Sequence, residues 1–174
     1  MRLARDAAAW IVIVMLLVAG YAFRDEVQHV AHRVTLGLVP GSAITRLADD
    51  GTARVAVGRD GSGHFVVTAE VEGVPVSFLV DTGATTIALT HDDARRVGLE
   101  PDGLNFSMPI ATANGIGRAA PVRLDTVALG GIERRRLRGT VAQPGMLGQS
   151  LLGMNFLGSL ASFEIRGDRL ILRD

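Results

Sequence analysis

Val76-Ser77-Phe78-Leu79-Val80-Asp81-Thr82-Gly83-Ala84, continued by Thr85-Thr86-Ile87-Ala88-Leu89, is the stretch on which the reading of this chain turns. Its first five residues form an apolar strand that delivers Asp81, Thr82, Gly83 and Ala84 into a turn, and its last residues lead to the next strand. A carboxylate at the end of a buried strand is costly unless it is used or paired. A turn aspartate bonding its own backbone, with Gly83 supplying a positive φ, would need the same triplet. The triplet therefore takes its meaning from its surroundings.

Around it the chain consists of short β-branched runs cut by turns. Runs at 53–58, 64–71 and 74–80 are separated by Arg59-Asp60-Gly61-Ser62-Gly63 and by Glu72-Gly73. One helix interrupts them: Thr90 with Asp93 three residues later is a capping-box-like start, Asp92 and Asp93 suit a helix N-terminus, and Gly98 suits its end. Residues 106–112 and 117–129 flank Ala113-Asn114-Gly115-Ile116 and predict a hairpin about an Asn-Gly turn. A last hairpin joins 162–166 to 169–172 through Gly167-Asp168. Several short strands at this spacing predict an all-β barrel or sandwich, and no internal repeat is visible.

The first 52 residues are organised differently. Residues 7–23 (AAAWIVIVMLLVAGYAF) carry no charge and are bounded by Arg2, Arg5 and Asp6 on one side and Arg24, Asp25 and Glu26 on the other. This predicts a membrane helix at the short end of the usual length, with Trp10 and Tyr21 where interfacial aromatics would sit. Gly20-Tyr21-Ala22 would also serve as the small-x-small cleavage site of a signal peptide; the anchor is preferred because the apolar run continues to Phe23. Arg2 and Arg5 hold the N-terminus in the cytoplasm, although Arg24 and Arg33 weaken the asymmetry. The expected organisation is an anchor over 1–23 in the cytoplasmic (inner) membrane, a stalk over 24–52 and an extracytoplasmic, periplasmic-side domain over 53–174.

Composition removes several classes of function. The formal net charge is zero and the basic residues are dispersed, so there is no electrostatic footprint for nucleic acid. The absence of cysteine excludes disulfides, thiolate-bound metals and thiol catalysis. His29, His32, His64 and His91 contain no HExxH pair, and His29 and His32 lack a nearby third ligand, so no metal site is predicted.

Apolar-apolar-Val-Asp-Thr-Gly-Ala, a helix downstream and the later Leu151-Leu152-Gly153 together resemble the retropepsin-like aspartic proteases. With the membrane segment, Thr112-Ala113-Asn114-Gly115 and Leu152-Gly153-Met154-Asn155-Phe156-Leu157, the chain looks like a bacterial single-pass group of that clan. The resemblance implies a small closed all-β barrel with one short helix, acting as a homodimeric endopeptidase on peptide or protein substrates. At 174 residues the chain is too short for the two-lobed enzymes that carry both carboxylates themselves. Each subunit would contribute one catalytic carboxylate, Asp81. Two such groups at the dimer axis would share a proton and titrate as a unit, activating a water without a metal, cofactor or acyl-enzyme.

Other roles carried by the resemblance follow residue by residue. Thr82 would tie the two loops together across the axis, and Gly83 would let the loop approach substrate backbone. Ala84 stands where many relatives have Ser; lacking that hydroxyl donor, the dyad should keep its proton to higher pH, which predicts an optimum from mildly acidic to near neutral. Thr112, Ala113, Asn114 and Gly115 fall in the flap, and Leu151, Leu152 and Gly153 would pack behind the catalytic loop. One departure is Met154, where retroviral members have Arg before Asn or Asp: an interface contact is missing, leaving a dimer aided by tethering. The rival reading is a non-catalytic dimerisation or peptide-binding module of the same fold. Asp81-x-Gly83-x-Thr85 as an ATPase phosphate turn would need two α/β lobes, which the chain lacks.

Overall fold

Two-residue alternation builds the strands of the computed structural model, which describes residues 43–47, 53–112 and 115–174. The expected membrane segment, most of the expected stalk, and Ala113 and Asn114 lie outside the described residues. Among the described residues no helix is long and apolar enough to cross a membrane.

In strand order the elements are β1 (Ala43–Leu47), β2 (Ala53–Gly58), β3 (Val66–Val71), β4 (Val74–Val80) and β5 (Ile87–Leu89), then helix α1 (His91–Arg96) and a 3-10 turn (Pro101–Gly103). They continue as β6 (Met108–Thr112), β7 (Gly115–Leu129), β8 (Ile132–Ala142), β9 (Ser150–Leu152), α2 (Met154–Leu157), β10 (Ser162–Arg166) and β11 (Arg169–Arg173). In β3, Val67, Ala69 and Val71 are buried while Thr68 and Glu70 are exposed, the signature of a strand with one face on the core. Glu72 (φ 50°) and Gly73 (φ 77°) both adopt left-handed backbone, the tight-turn geometry that joins β3 to β4 without splaying them. At the preceding turn Asp60 accepts from the Ser62 hydroxyl (2.7 Å) and from the His64 and Ser62 amides (both 2.9 Å). These bonds, the Ser62 hydroxyl first, hold its carboxyl below the usual value.

Six strands close into a barrel in the order β3-β4-β9-β5-β8-β7, with β7 returning to β3. The closing seam is short: Glu70 pairs with Ala128 and Val71 with Val127. Glu72 extends it, its carboxylate accepting from the Asp125 amide (2.6 Å) and the Thr126 hydroxyl (3.3 Å). β6 hangs outside the ring on β7 alone, and β1-β2-β11-β10 form a second, antiparallel sheet. Phe78, Ile87, Leu89, Leu124, Leu152 and Phe156 are fully buried at the centre, in one cluster with Val55 and Leu172 of the second sheet. Burial of each such side chain contributes roughly 1.5–3 kcal/mol.

The all-β barrel agrees with the sequence reading, with three differences. Instead of one short helix there are two; α2 is a four-residue turn, too short to leave a periodic pattern. Strand β1 lies inside the stretch taken as a stalk and pairs along its whole length with β2. Finally, β8 runs through Glu133-Arg134-Arg135-Arg136, which has no strand-like alternation.

Candidate active site

Strand β4 carries its apolar face into the barrel and stops at Asp81 because the next residue turns away from the ladder. It runs parallel to β9, with Phe78, Leu79 and Val80 opposite Ser150, Leu151 and Leu152. That register sets the Leu152 carbonyl to accept from the Asp81 amide (3.1 Å). The turn closes locally: the Gly83 amide donates to Asp81 Oδ1 (2.8 Å) and the Ala84 amide to the Asp81 carbonyl (3.3 Å). A backbone donor thus orients the carboxylate, as in a turn aspartate, while Asp81 stays half-buried and Thr82 and Gly83 are exposed.

The loop is held from behind by the start of α2. The Met154 amide donates to the Ala84 carbonyl (2.8 Å) and the Asn155 amide to the Thr85 carbonyl (3.1 Å). A Cβ on Gly153 would lie 2.3 Å from the Thr86 carbonyl oxygen and 2.7 Å from that of Ala84, so only glycine fits. Asn155 adds two side-chain bonds, accepting from the Ile87 amide (3.0 Å) and donating to the Arg138 carbonyl (2.6 Å). One amide therefore ties the loop, β5 and β8 together.

A second support comes from α1. Thr90 caps it by accepting from the Asp93 amide (3.1 Å), as its sequence predicts. Buried Ser150 accepts from the Thr90 amide (3.0 Å) and donates to the Asp93 carboxylate (2.6 Å). Arg96 bridges Asp93 and the Pro75 carbonyl, both at 2.8 Å. Helix α1 is thereby fastened to β9 and to the start of β4, the two strands that meet at Asp81.

Hairpin β6–β7 projects from the ring with Met108 opposite Ala119 and Thr112 opposite Gly115. Ile116 near its end is 86% exposed, and Gly117 packs against Met146. Between the hairpin base and the loop lies a groove of about 470 Å³, lined by Thr85, Thr86, Met108, Val122 and two arginines, Arg123 and Arg138.

With this geometry in view, the comparisons are specific. Residues 67–159, more than half of the chain, match the family model described as "gag-polyprotein putative aspartyl protease". The chain belongs to the retropepsin-like aspartic protease family. Its likeness to the crystal structure of a retropepsin-like aspartic protease from Rickettsia conorii has a TM-score of 0.65 at 37% identity, covering 75% of this chain and 94% of that one. An uncharacterised protein from the cobV 5′ region of Sinorhizobium sp. is 45% identical over 98% of this chain and 73% of its own length. An uncharacterised protein of Rickettsia prowazekii (strain Madrid E) is 39% identical over 95% of this chain and 69% of its own.

Of the residues singled out in this retropepsin-like chain, Asp81, Thr82, Gly83, Ala84, Leu152 and Gly153 come together. Leu151 sits one step away, bridging Leu79 and Ala88 across β9. Thr112 and Gly115 end the projecting hairpin. Sequence reasoning did not pick out Asn155 as a site residue or the groove with Arg123 and Arg138. Asn155 stood inside the Leu152–Leu157 motif, and its amide, able to donate and accept at once, was the further signal that could have marked it.

Proposed function

We propose that this chain is an aspartic endopeptidase in which two copies each supply Asp81 to a shared dyad. The observation that carries this reading is the carboxylate itself, oriented by the Gly83 amide at the head of a loop braced by Leu152, Gly153 and Asn155. Such bracing preorganises a reacting group. One such carboxylate per chain is half of what the family's water-activating chemistry uses, which supports a homodimer; exposed Thr82 is free to reach a second copy. In the pair, one carboxylate would take a proton from water while its protonated neighbour donates to the scissile carbonyl. The β6–β7 hairpin, whose last described pair is Thr112 with Gly115, fits a flap over an extended peptide. The apolar run 7–23 would tether the domain on the extracytoplasmic side and raise the local concentration of copies.

The test is cleavage of a mixed peptide library by the full-length chain and by Asp81→Asn, with the dimer fraction followed by sedimentation. Turnover should rise with the dimer fraction and fall to background in Asp81→Asn. A folded, dimeric protein that cleaves nothing between pH 4 and 8 would instead favour a non-catalytic peptide-binding module.

A further inference from the structure

Strands β7 and β8 place Arg123 directly opposite Arg138. Like charges in that position repel and are destabilising unless something lies between them. Neither guanidinium makes an ion pair or side-chain hydrogen bond among the described residues, and both side chains are exposed. Their neighbours on β8 differ: Arg134 binds Asp174 and Ser159, and Arg135 binds Glu133 (2.6 Å). Asp125, two residues along β7 from Arg123, pairs with neither; its amide is turned toward Glu72.

These two arginines belong to the wall of the groove that opens at Thr85 and Thr86, next in sequence to the Asp81–Ala84 turn, with Met108 and Val122 as apolar wall. A side chain entering here meets hydrocarbon along its stem and, beside it, two guanidinium groups that pair with no described residue. Guanidinium is the cation whose planar fork matches a carboxylate. An extended peptide presents alternate side chains to a surface, so one residue in such a strand can enter while the next points away.

We infer that the groove is a specificity pocket for an acidic side chain of the substrate, with its carboxylate bound between Arg123 and Arg138. The inference rests on the peptidase reading for its cleavage outcome and on the groove alone for its binding outcome. In a homodimer each copy would bring one pocket, so the preference should appear on both sides of the cleaved bond.

The experiment uses two matched peptide libraries, identical except that every Glu and Asp of one is Gln and Asn in the other. Turnover is measured with the full-length chain, and binding by fluorescence anisotropy with full-length Asp81→Asn. The acidic library should be favoured about tenfold in both assays, the low end for an exposed charge-assisted contact. The ratio should shrink as salt is raised. Replacing both arginines, Arg123→Gln with Arg138→Gln, should bring the ratio to about one. Because a ratio is read, a change in folded fraction does not affect it. Arg138→Glu should turn the preference toward a Lys-substituted library. Equal treatment of the two libraries in both assays, or a preference that survives loss of both arginines, overturns the inference. Arginine-dependent preference in binding without turnover leaves the pocket standing and removes the peptidase reading.

Discussion

The loop that begins at Asp81 and the hairpin β6–β7 border one groove, through Thr85 and Met108, but are built in opposite ways. The loop is short and is gripped by segments distant in sequence: Leu152, Met154 and Asn155 all bond to it, and Gly153 fits against it with no space for a methyl group. The hairpin is held along β6 by a single neighbouring strand and exposes Met108 and Ile116. Chemistry at a carboxylate demands fixed geometry, whereas admitting a peptide demands an element with few ties to the barrel. The difference teaches where each demand is met.

One substitution made in both places tests that contrast most directly. Gly153→Ala pushes a methyl group into backbone carbonyls that cannot move without breaking the loop, and should cost about 3 kcal/mol in denaturant unfolding together with all cleavage. Asn155→Ala leaves the Ile87 amide and the Arg138 carbonyl without their partner; a loss of about 2 kcal/mol is expected, with a larger proportional loss of turnover. An Asn155→Ala protein with full activity would show that the loop does not depend on its distant supports.

A clamp away from the loop provides a control. Arg134 bonds both carboxylate oxygens of Asp174 and the Ser159 hydroxyl, joining β8 to the end of β11. That bond holds the Asp174 carboxyl below its usual value, against the opposing effect of burial. A lowered folded value means the stabilisation is present above the unfolded Asp value near 4 and is lost as pH falls through the lowered one. Because the pair is partly exposed, the loss should be below about 1 kcal/mol, seen as a falling urea midpoint as the pH drops from about 5 to about 2 that Arg134→Gln reduces. The smallest effect is expected at Gly117→Ala. Its new methyl overlaps the flexible end of Met146 and makes ordinary contact with Ile110, so stability should change by less than about 0.5 kcal/mol, while KM for peptide shifts more than kcat. A cost equal to that of Gly153→Ala would erase the distinction between loop and hairpin.

The legible parts of this fold share a cause. Turns at Glu72-Gly73 and Gly167-Asp168, the Thr90 cap and the alternation in β3 are local, so residues a few positions apart announce them. β8 escaped notice because Arg134, Arg135 and Arg136 look like a solvated charge run. Arg134 and Arg135 are placed by Asp174, Ser159 and Glu133. Arg136 adopts a left-handed φ of 54° where the paired register with β7 skips Asp125. None of these conditions can be read from three consecutive arginines. In the site, Asp81-Thr82-Gly83-Ala84 and Leu151-Leu152-Gly153 were recognisable as motifs, but the groove was not, since Thr85, Met108, Arg123 and Arg138 come from four separate parts of the chain.

By itself the sequence determined the all-β character, the hairpin turns, the capped helix and the carboxylate at the end of an apolar strand, because those follow from alternation, turn residues and caps within a few positions. Only the tertiary structure decided that β9 lies parallel to β4 and brings Leu152 to Asp81, that Gly153 has no room for a Cβ, and that Arg123 and Arg138 face each other beside the loop. Those outcomes depend on strand order and register across the closed barrel, where contacts are made between residues far apart in the chain.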